Sequence, residues 1–276
     1  MNKGFVILAQ NTKEVNYVKC AEALAVSLKN VMPACKVSLI TDEKVKNKIF
    51  DKIIPLPYGD LAPFSSWKLI NDWQVYEASP YEYTIKLEAD MYIPRSIEHW
   101  WDVLCSRDIV ISTTIRNFYQ DISDNRAYRK FIDNNNLPDV YNAITYFKKS
   151  DTAEKFFKIE RDIFENWNQY KNSLKCLMDE QVSTDWAYAI AAHIIGVEKT
   201  TLPTFTDMSM VHMKQAINHL PTENWTDTLI YEISPEVIRV QTVPQLYPFH
   251  YHVKNFSDKI LEKVSWKQNK SKNSTK

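Results

Sequence analysis

Apolar residues run without interruption through Phe5-Val6-Ile7-Leu8-Ala9, the pattern of a strand buried on both faces. Val15, Val18, Ala21, Leu24, Ala25, Leu28 and Val31 then recur at helical spacing, and Pro33 stops the helix. Asn11, with Glu14 three residues later, resembles a capping box for its start. Lys36-Val37-Ser38-Leu39-Ile40 is a second strand ending at Thr41-Asp42, and Ile53-Ile54-Pro55-Leu56 a short third. The order strand, helix, strand, strand predicts the beginning of a parallel α/β sheet.

A loop from Pro57 to Pro63 leads into a Trp-rich helix containing Trp67, Lys68 and Trp73. Tyr83 to Leu87 reads as the next strand, closed by Glu88-Ala89-Asp90, and Asp108 to Thr113 as another. Asn117 to Pro138 is largely polar and charged, interrupted by residues such as Tyr128 and Phe131, and reads as a loop-helix insertion over a site. Asn142 to Phe147 is a strand. A helix capped by Asp151 follows, with Phe156, Ile159, Ile163 and Trp167 on one face. A further helix carries Trp186, Ile190 and Ile194, and the C-terminal part reads as irregular. The expected architecture is a single α/β domain over residues 1–266 with a mixed, mostly parallel sheet flanked by helices. The polar, basic stretch 267–276 reads as a disordered tail.

Composition narrows this picture. The 276 residues include 34 Lys+Arg and 34 Asp+Glu, so no global field draws the chain to nucleic acid or to an anionic membrane. No run of about 18 apolar residues predicts a membrane span, and the first apolar run is too short for a signal segment. Cys20, Cys35, Cys105 and Cys176 are widely spaced, as expected of free thiols in a reducing, cytoplasmic setting. Only three glycines are present, Gly4, Gly59 and Gly196, too few for either G-x-G-x-x-G or a Walker loop. Phosphate recognition by a glycine-rich cradle is therefore excluded.

Three groups of residues can carry chemistry. Glu88-x-Asp90 falls at the carboxyl end of a strand, where open α/β sheets gather ligands. Two carboxylates one residue apart can approach a hard divalent cation together, and such a cation binds diphosphate oxygens; a solvated turn is the alternative. His250-x-His252 with Lys254 projects to one side if the segment is extended, offering imidazoles for a metal and an ammonium for phosphate; an exposed edge strand is the alternative. Asp179, Glu180 and Asp185 form an acidic group before and at the start of an apolar helix, with Asp185 and Glu180 as candidate catalytic carboxylates or ligands of sugar hydroxyls. Asp42 is placed to hold a base or ribose. Lys68 and Lys86 are candidate phosphate contacts. His193 and His212 read as structural histidines.

These pieces together resemble the GT-A glycosyltransferase superfamily, through Phe5-Val6-Ile7-Leu8-Ala9-Gln10-Asn11, Leu39-Ile40-Thr41-Asp42, Lys86-Leu87-Glu88-Ala89-Asp90-Met91, Asn142-Ala143-Ile144-Thr145-Tyr146-Phe147 and His250-Tyr251-His252-Val253-Lys254. The resemblance spans roughly residues 4 to 256. It implies a Rossmann-like sheet that holds a nucleoside-diphosphate sugar, UDP favoured, at Gln10, Asn11 and Asp42. It further implies Mn²⁺ or Mg²⁺ at Glu88, Asp90, His250 or His252, with the diphosphate on Lys254. Two departures stand out: Glu88 where the family usually has Asp, and no glycine in the Asn-Ala-Ile-Thr stretch. The wording of the chain, including Trp-Lys-Leu-Ile-Asn-Asp-Trp and Tyr-Pro-Phe-His-Tyr-His-Val-Lys, is also similar to transferases of T4-like phages. Those attach arabinose or glucose to hydroxymethylated cytosine in phage DNA.

That resemblance implies metal-dependent transfer of a sugar to an acceptor hydroxyl, with hydroxymethylcytosine in DNA as the leading acceptor and Arg116, Arg126, Arg129 and Lys130 as a local groove for it. A carbohydrate, lipopolysaccharide or protein acceptor is the alternative. The rival classes are a nucleotidyltransferase on a similar sheet and a non-catalytic nucleotide-sugar-binding protein.

Overall fold

The computed structural model describes residues 1–124, 129–175 and 181–265. In chain order the elements begin with β1 (Lys3–Leu8), α1 (Tyr17–Val31), β2 (Val37–Ile40), β3 (Lys52–Ile54), α2 (Val75–Ala78), β4 (Tyr83–Glu88) and β5 (Met91–Tyr92). 

The order continues with α3 (Trp100–Leu104), β6 (Ile109–Ser112), β7 (Thr114–Arg116), α4 (Lys130–Asn134), β8 (Tyr141–Lys148), α5 (Asp151–Glu165), α6 (Trp167–Ser173) and α7 (Thr184–Ile195). It closes with α8 (Val197–Thr200), β9 (Ser209–His212), α9 (Gln215–Asn218), β10 (Tyr231–Ile233), β11 (Ile238–Val240), β12 (Val243–Pro244), β13 (Phe249–His250) and α10 (Phe256–Lys263).

Six strands form the central sheet in the order β3-β2-β1-β4-β8-β6. The first four run parallel; β8 is antiparallel to both β4 and β6. This is the mixed, mostly parallel sheet expected from the pattern. Alternation along β1 explains how one short strand serves two layers. Phe5 and Ile7 pack with Leu24, Leu39, Leu87 and Trp101 on the side covered by α1, while Val6 packs with Ile40, Phe147, Phe156 and Tyr188 on the side covered by α5 and α7. Gly4 sits in β1 because Tyr81 crosses it: a Cβ there would lie 2.4 Å from the tyrosine ring. The Tyr81 hydroxyl is 2.7 Å from Ser38 Oγ on β2.

A second sheet, β5-β13-β9-β7, abuts the carboxyl end of β4. Its strands are two to four residues long and come from distant parts of the chain, so the C-terminal region is less irregular than its sequence suggests. β13 runs parallel to β9 and antiparallel to β5, with His250 opposite His212 on one side and Met91 on the other. A three-stranded antiparallel meander, β10-β11-β12, lies apart from both.

Several boundaries differ from the sequence reading. The cap of α1 is Asn16, whose side chain accepts from Lys19 N. Asn11 still serves the same helix end, its Oδ1 accepting from Val18 N at 3.1 Å. The Trp-rich helix is a 3₁₀ turn over Leu69–Gln74 followed by the single turn of α2, and Trp67 lies outside it, 60% exposed. The reason is visible in its inward face, where Asn71, Asp72 and Gln74 are buried and hydrogen-bonded. Ser150, not Asp151, caps α5, and Trp167 lies past a break at Asn166, in α6. Of the polar insertion, α4 and its flanks are described; residues 125–128 lie outside the described set, as do Cys176, Asp179, Glu180 and the tail 267–276. Cys20, Cys35 and Cys105 are free thiols. Among the described residues, no helix is long and apolar enough to cross a membrane.

Candidate active site

The turn after β4 carries Asp90 to the seam between the two large sheets, where it is 4% exposed. Its carbonyl accepts the Tyr251 amide at 3.2 Å, so the seam itself fixes the turn. Asp90 Oδ2 receives His250 Nε2 at 2.9 Å and also the Lys254 ammonium. His252 completes a group in which Asp90, His250 and His252 each present a ligand atom within 4.8 Å of the others. The His250 Nδ1 is buried without a partner. One carboxylate and two imidazoles with spare donor atoms fit a divalent transition ion.

His252 reaches the group from a left-handed backbone, φ +62°, a state that disfavours most side chains.

Burial works against the charge on Asp90, but the charges and hydrogen bonds of His250 and Lys254 outweigh it and hold the carboxyl well below its ordinary range. Burial likewise lowers His250, yet Asp90 and Glu88 hold its imidazole above the usual value. Desolvation is the strongest single influence on Lys254 and lowers it, but the Asp90 charge, Tyr17, the hydrogen bond to Asp90 and Glu88 together hold the ammonium above its ordinary value. His252, half-buried and beside the His250 and Lys254 charges, is pushed down to about 3, chiefly by desolvation, and is therefore neutral.

Glu88 takes a different place from Asp90. Its Oε1 accepts Asn142 Nδ2 at 2.9 Å and its Oε2 lies 3.4 Å from His250 Nε2. Burial, with the Asp90 charge, raises its carboxyl above the ordinary value, although His250 opposes this. It stands beside the three-residue group and is not one of its members.

Asp185 lies in the first turn of α7, whose cap is Ser183. One oxygen accepts Arg129 Nη1 at 3.0 Å and the other the Asn142 amide at 3.0 Å. A continuous chain thus runs from Arg129 through Asp185 and Asn142 to Glu88. Glu180, its proposed companion, is outside the described residues.

At the other end of the same sheet edge, Gln10 Nε2 donates to Asp42 Oδ2 at 2.9 Å, and Asn71 Nδ2 donates to Gln10 Oε1 at 2.8 Å. Asn71 also donates to Asp60, which pairs with Lys68 at 2.5 Å. Lys68 is thereby turned into its own loop, its ammonium also donating to Ala62 O at 2.6 Å. Lys86 does not reach the cleft at all. It is 1% exposed, with its ammonium 2.6 Å from Asp72 and donating to Tyr188 Oη at 3.2 Å. As a phosphate contact it is excluded by burial.

Two of the four basic residues assigned to a DNA groove are engaged within the protein. Arg116 stacks on Tyr247 at 3.9 Å and donates to Ser209 Oγ and Gln120 O, and Arg129 is buried against Asp185 and Asp139. Arg126 lies outside the described set. A surface hollow of about 600 Å³ lies elsewhere, lined by Arg107, Asp108, Asp151 and Glu198, and includes none of the clustered residues.

The sequence reading missed four contributors: His212, Lys214, Asn142 and Tyr17. His212 was expected to be structural, but it stacks on His250 with ring centroids 4.6 Å apart, and its Nδ1 is buried without a partner. Burial, with the neighbouring His250 charge, holds it far below the usual imidazole value and so neutral. The overlooked signal is a repeated spelling: His212-x-Lys214, running out of β9, parallels His250-x-His252-x-Lys254, running out of β13. Tyr17 opens α1 with its ring 5.6 Å from the Lys254 ammonium.

No protein-family profile matches the chain, and no curated protein sequence does. Similar solved structures are glycosyltransferases. The apo form of the glycosyltransferase GlyE of Streptococcus pneumoniae TIGR4 has a TM-score of 0.45 at 10% identity, covering 78% of this chain and 48% of GlyE. The galactosyltransferase LgtC, in complex with donor and acceptor sugar analogues, has a TM-score of 0.42 at 14% identity, covering 63% of this chain and 66% of LgtC. Mouse xyloside xylosyltransferase 1 has a TM-score of 0.42 at 10% identity over 70% of this chain and 82% of its own. The chain therefore spans about half the length of GlyE and just under two thirds of LgtC.

Proposed function

We propose that the chain is a metal-dependent glycosyltransferase that moves a sugar from a nucleoside diphosphate to an acceptor hydroxyl. The observation that carries the reading is Asp90, delivered to the carboxyl edge of a mostly parallel sheet, meeting His250, His252 and Lys254 from more than 150 residues later in the chain. Open α/β sheets bind nucleotides at that edge. A divalent ion held by Asp90, His250 and His252 would supply charge stabilisation for a leaving diphosphate. Imidazole donors suit a transition ion such as Mn²⁺ better than Mg²⁺.

The chain's own residues divide the remaining work. Lys254, already at the seam, binds a phosphate oxygen of the donor. Gln10, Asn11 and Asp42 stand at the C-terminal end of β1 and β2, where the nucleoside lies; the Gln10–Asn71 bond holds that end in shape. In the reaction the bond from anomeric carbon to diphosphate oxygen breaks, its electron pair stays on the diphosphate, and the acceptor oxygen bonds to carbon as its proton leaves. Asp185, with both oxygens engaged by Arg129 and Asn142, fits the positioning of Asn142 and Glu88 better than the removal of that proton. Glu180 stays a candidate for the base.

The acceptor is assigned as a hydroxyl. Hydroxymethylcytosine in DNA rests on the phage resemblance, because Arg116 and Arg129, two of the residues assigned to a DNA groove, are engaged within the protein.

A thermal-shift screen of UDP-, GDP-, ADP- and CMP-sugars, with and without Mn²⁺, tests the reading. Saturation at a hundred times Kd stabilises a protein by about 2.7 kcal/mol, so a true donor with Mn²⁺ gives a clear shift that Asp90→Ala abolishes. Mass analysis with hydroxymethylcytosine DNA and with carbohydrate acceptors then identifies the product. No shift with any donor, or an unchanged shift in Asp90→Ala, overturns the proposal. Pyrophosphate release without a glycosylated product moves the chain to the nucleotidyltransferases.

A further inference from the structure

The reaction adds negative charge to the diphosphate as its bond to carbon breaks. A donor site therefore gains from a cation at the reacting end of the donor, beyond the one that holds the phosphates in the ground state. Lys254 pairs with Asp90, on the seam side of the cluster. A second lysine stands at the other side. β9 and β13 run parallel with His212 opposite His250, and the pairing continues one step further as Met213 N donates to His250 O at 3.0 Å. Lys214 is the next residue, and Asn218 Nδ2 fixes its exit by donating to both His212 O and Lys214 O, at 2.8 and 3.0 Å.

Its ammonium lies within the fields of Asp185, Arg129, Glu88 and Glu223, and itself acts on His212 and His252. The carboxylate whose charge acts most on each lysine differs, Asp90 for Lys254 and Asp185 for Lys214, with Glu88 within the field of both. Glu88 and Asp185 are joined through Asn142, the chain of residues that runs away from the nucleoside end.

We infer that Lys214 is a second anion-binding residue of the cleft, which takes a phosphate oxygen of the donor at the end where the sugar is released. The assignment rests on the transferase reading above. It makes the cleft a two-ammonium clamp, one lysine from the exit of β9 and one from the segment after β13. The His-x-Lys spelling shared by those two segments is its sequence signature.

Calorimetric titration of UDP in Mn²⁺, compared with UDP-glucose and UDP-glucuronate, tests it; the nucleotide is changed if the screen above selects another. Lys214→Gln is expected to weaken UDP binding about tenfold or more, the worth of one charge-assisted hydrogen bond, with Lys214→Arg largely restoring it. A purely structural lysine would leave UDP affinity unchanged, and that result overturns the inference. So does a loss confined to UDP-glucuronate, which would place a sugar carboxylate at Lys214 instead. Lys214→Met keeps the apolar stem and replaces the glutamine variant should that melt early. Wild-type protein that binds no nucleotide with Mn²⁺ overturns the transferase reading itself. Wild-type binding matched by Lys214→Gln and Lys214→Met overturns only the role of Lys214.

Discussion

Two lysine–aspartate pairs lie close to strand β4, and they are built for different ends. Lys86–Asp72 is closed: the side chains are 2% and 10% exposed, and Tyr188 donates to Asp72 at 2.9 Å. Lys254–Asp90 is half-open, with the lysine 25% exposed and imidazoles with unpartnered nitrogens beside it. Both pairs contain a buried carboxylate. Only the second has donor capacity left over and lies at a sheet edge. A strained backbone also accompanies it, at His252. Buried charge alone therefore does not mark a site; unspent ligand atoms at an opening do.

The closed pair has a further member. Glu160 on α5 is fully buried beside Asp72, and neither carboxyl oxygen finds a donor. Two carboxyl groups in contact satisfy each other only if one is protonated. Burial, reinforced by the Asp72 charge, keeps the proton on Glu160 by raising its value well above the ordinary range. The Glu160 hydroxyl then donates to Asp72, which is itself held by Lys86 and Tyr188.

Three measurements break or sharpen the comparison. The largest effect is expected from Lys86→Met. It leaves the Asp72 charge buried without its cation and is expected to cost about 3–5 kcal/mol in denaturant unfolding. The nucleotide affinity of the protein that remains folded should be unchanged. A stability loss below about 1 kcal/mol, or a selective loss of nucleotide binding, would erase the distinction between the pairs.

Glu160→Gln comes next and depends on pH. The folded carboxyl binds its proton more tightly than the unfolded one. Its stabilising contribution is therefore complete below about pH 4.5, the ordinary carboxyl value, and is lost as pH rises toward the raised folded value. Wild-type stability falls by up to about 1.4 kcal/mol per pH unit across that interval, and glutamine lacks this slope. The variant should therefore gain on the wild type as pH rises above about 4.5 in isothermal unfolding. Parallel curves would show that Glu160 is ionised in the folded protein.

The smallest stability effect is expected at His252→Gly. Relief of a left-handed backbone is worth about 1–2 kcal/mol, which offsets the lost ring contacts. The melting temperature should move by no more than about 3 °C, while Mn²⁺ affinity drops severalfold. A larger fall in melting temperature with unchanged Mn²⁺ affinity would reverse the assignment.

The two pairs also differ in how far the sequence disclosed them. The long periodic elements β1, α1, β4, β8, α5 and α7 were legible because each buries a continuous apolar face. Glu88-Ala89-Asp90 was legible because it closes one of them. His250, His252 and Lys254 were legible as a group by their close spacing, although a left-handed turn at His252, not an extended strand, brings them together. What sequence reading missed is what only tertiary pairing creates. His212 and Lys214 matter because a four-residue strand meets a two-residue one, too short for any period to show. Lys86 read as a cleft lysine because the strand period puts it on the same face as Glu88. The inward-turned Asp72, on a 3₁₀ turn, is what captures it. Asp185 read as a free carboxylate because Arg129 precedes it by 56 residues.

The glycine beneath Tyr81 has a consequence for the cleft. A protein with three glycines has placed one of them where an aromatic ring crosses a strand, and the first strand is followed instead by Gln10 and Asn11. Its grip on a charged ligand is then a set of separate side chains, not a run of peptide amides. Such a grip can be dismantled one residue at a time, and added salt weakens each ammonium contact in it.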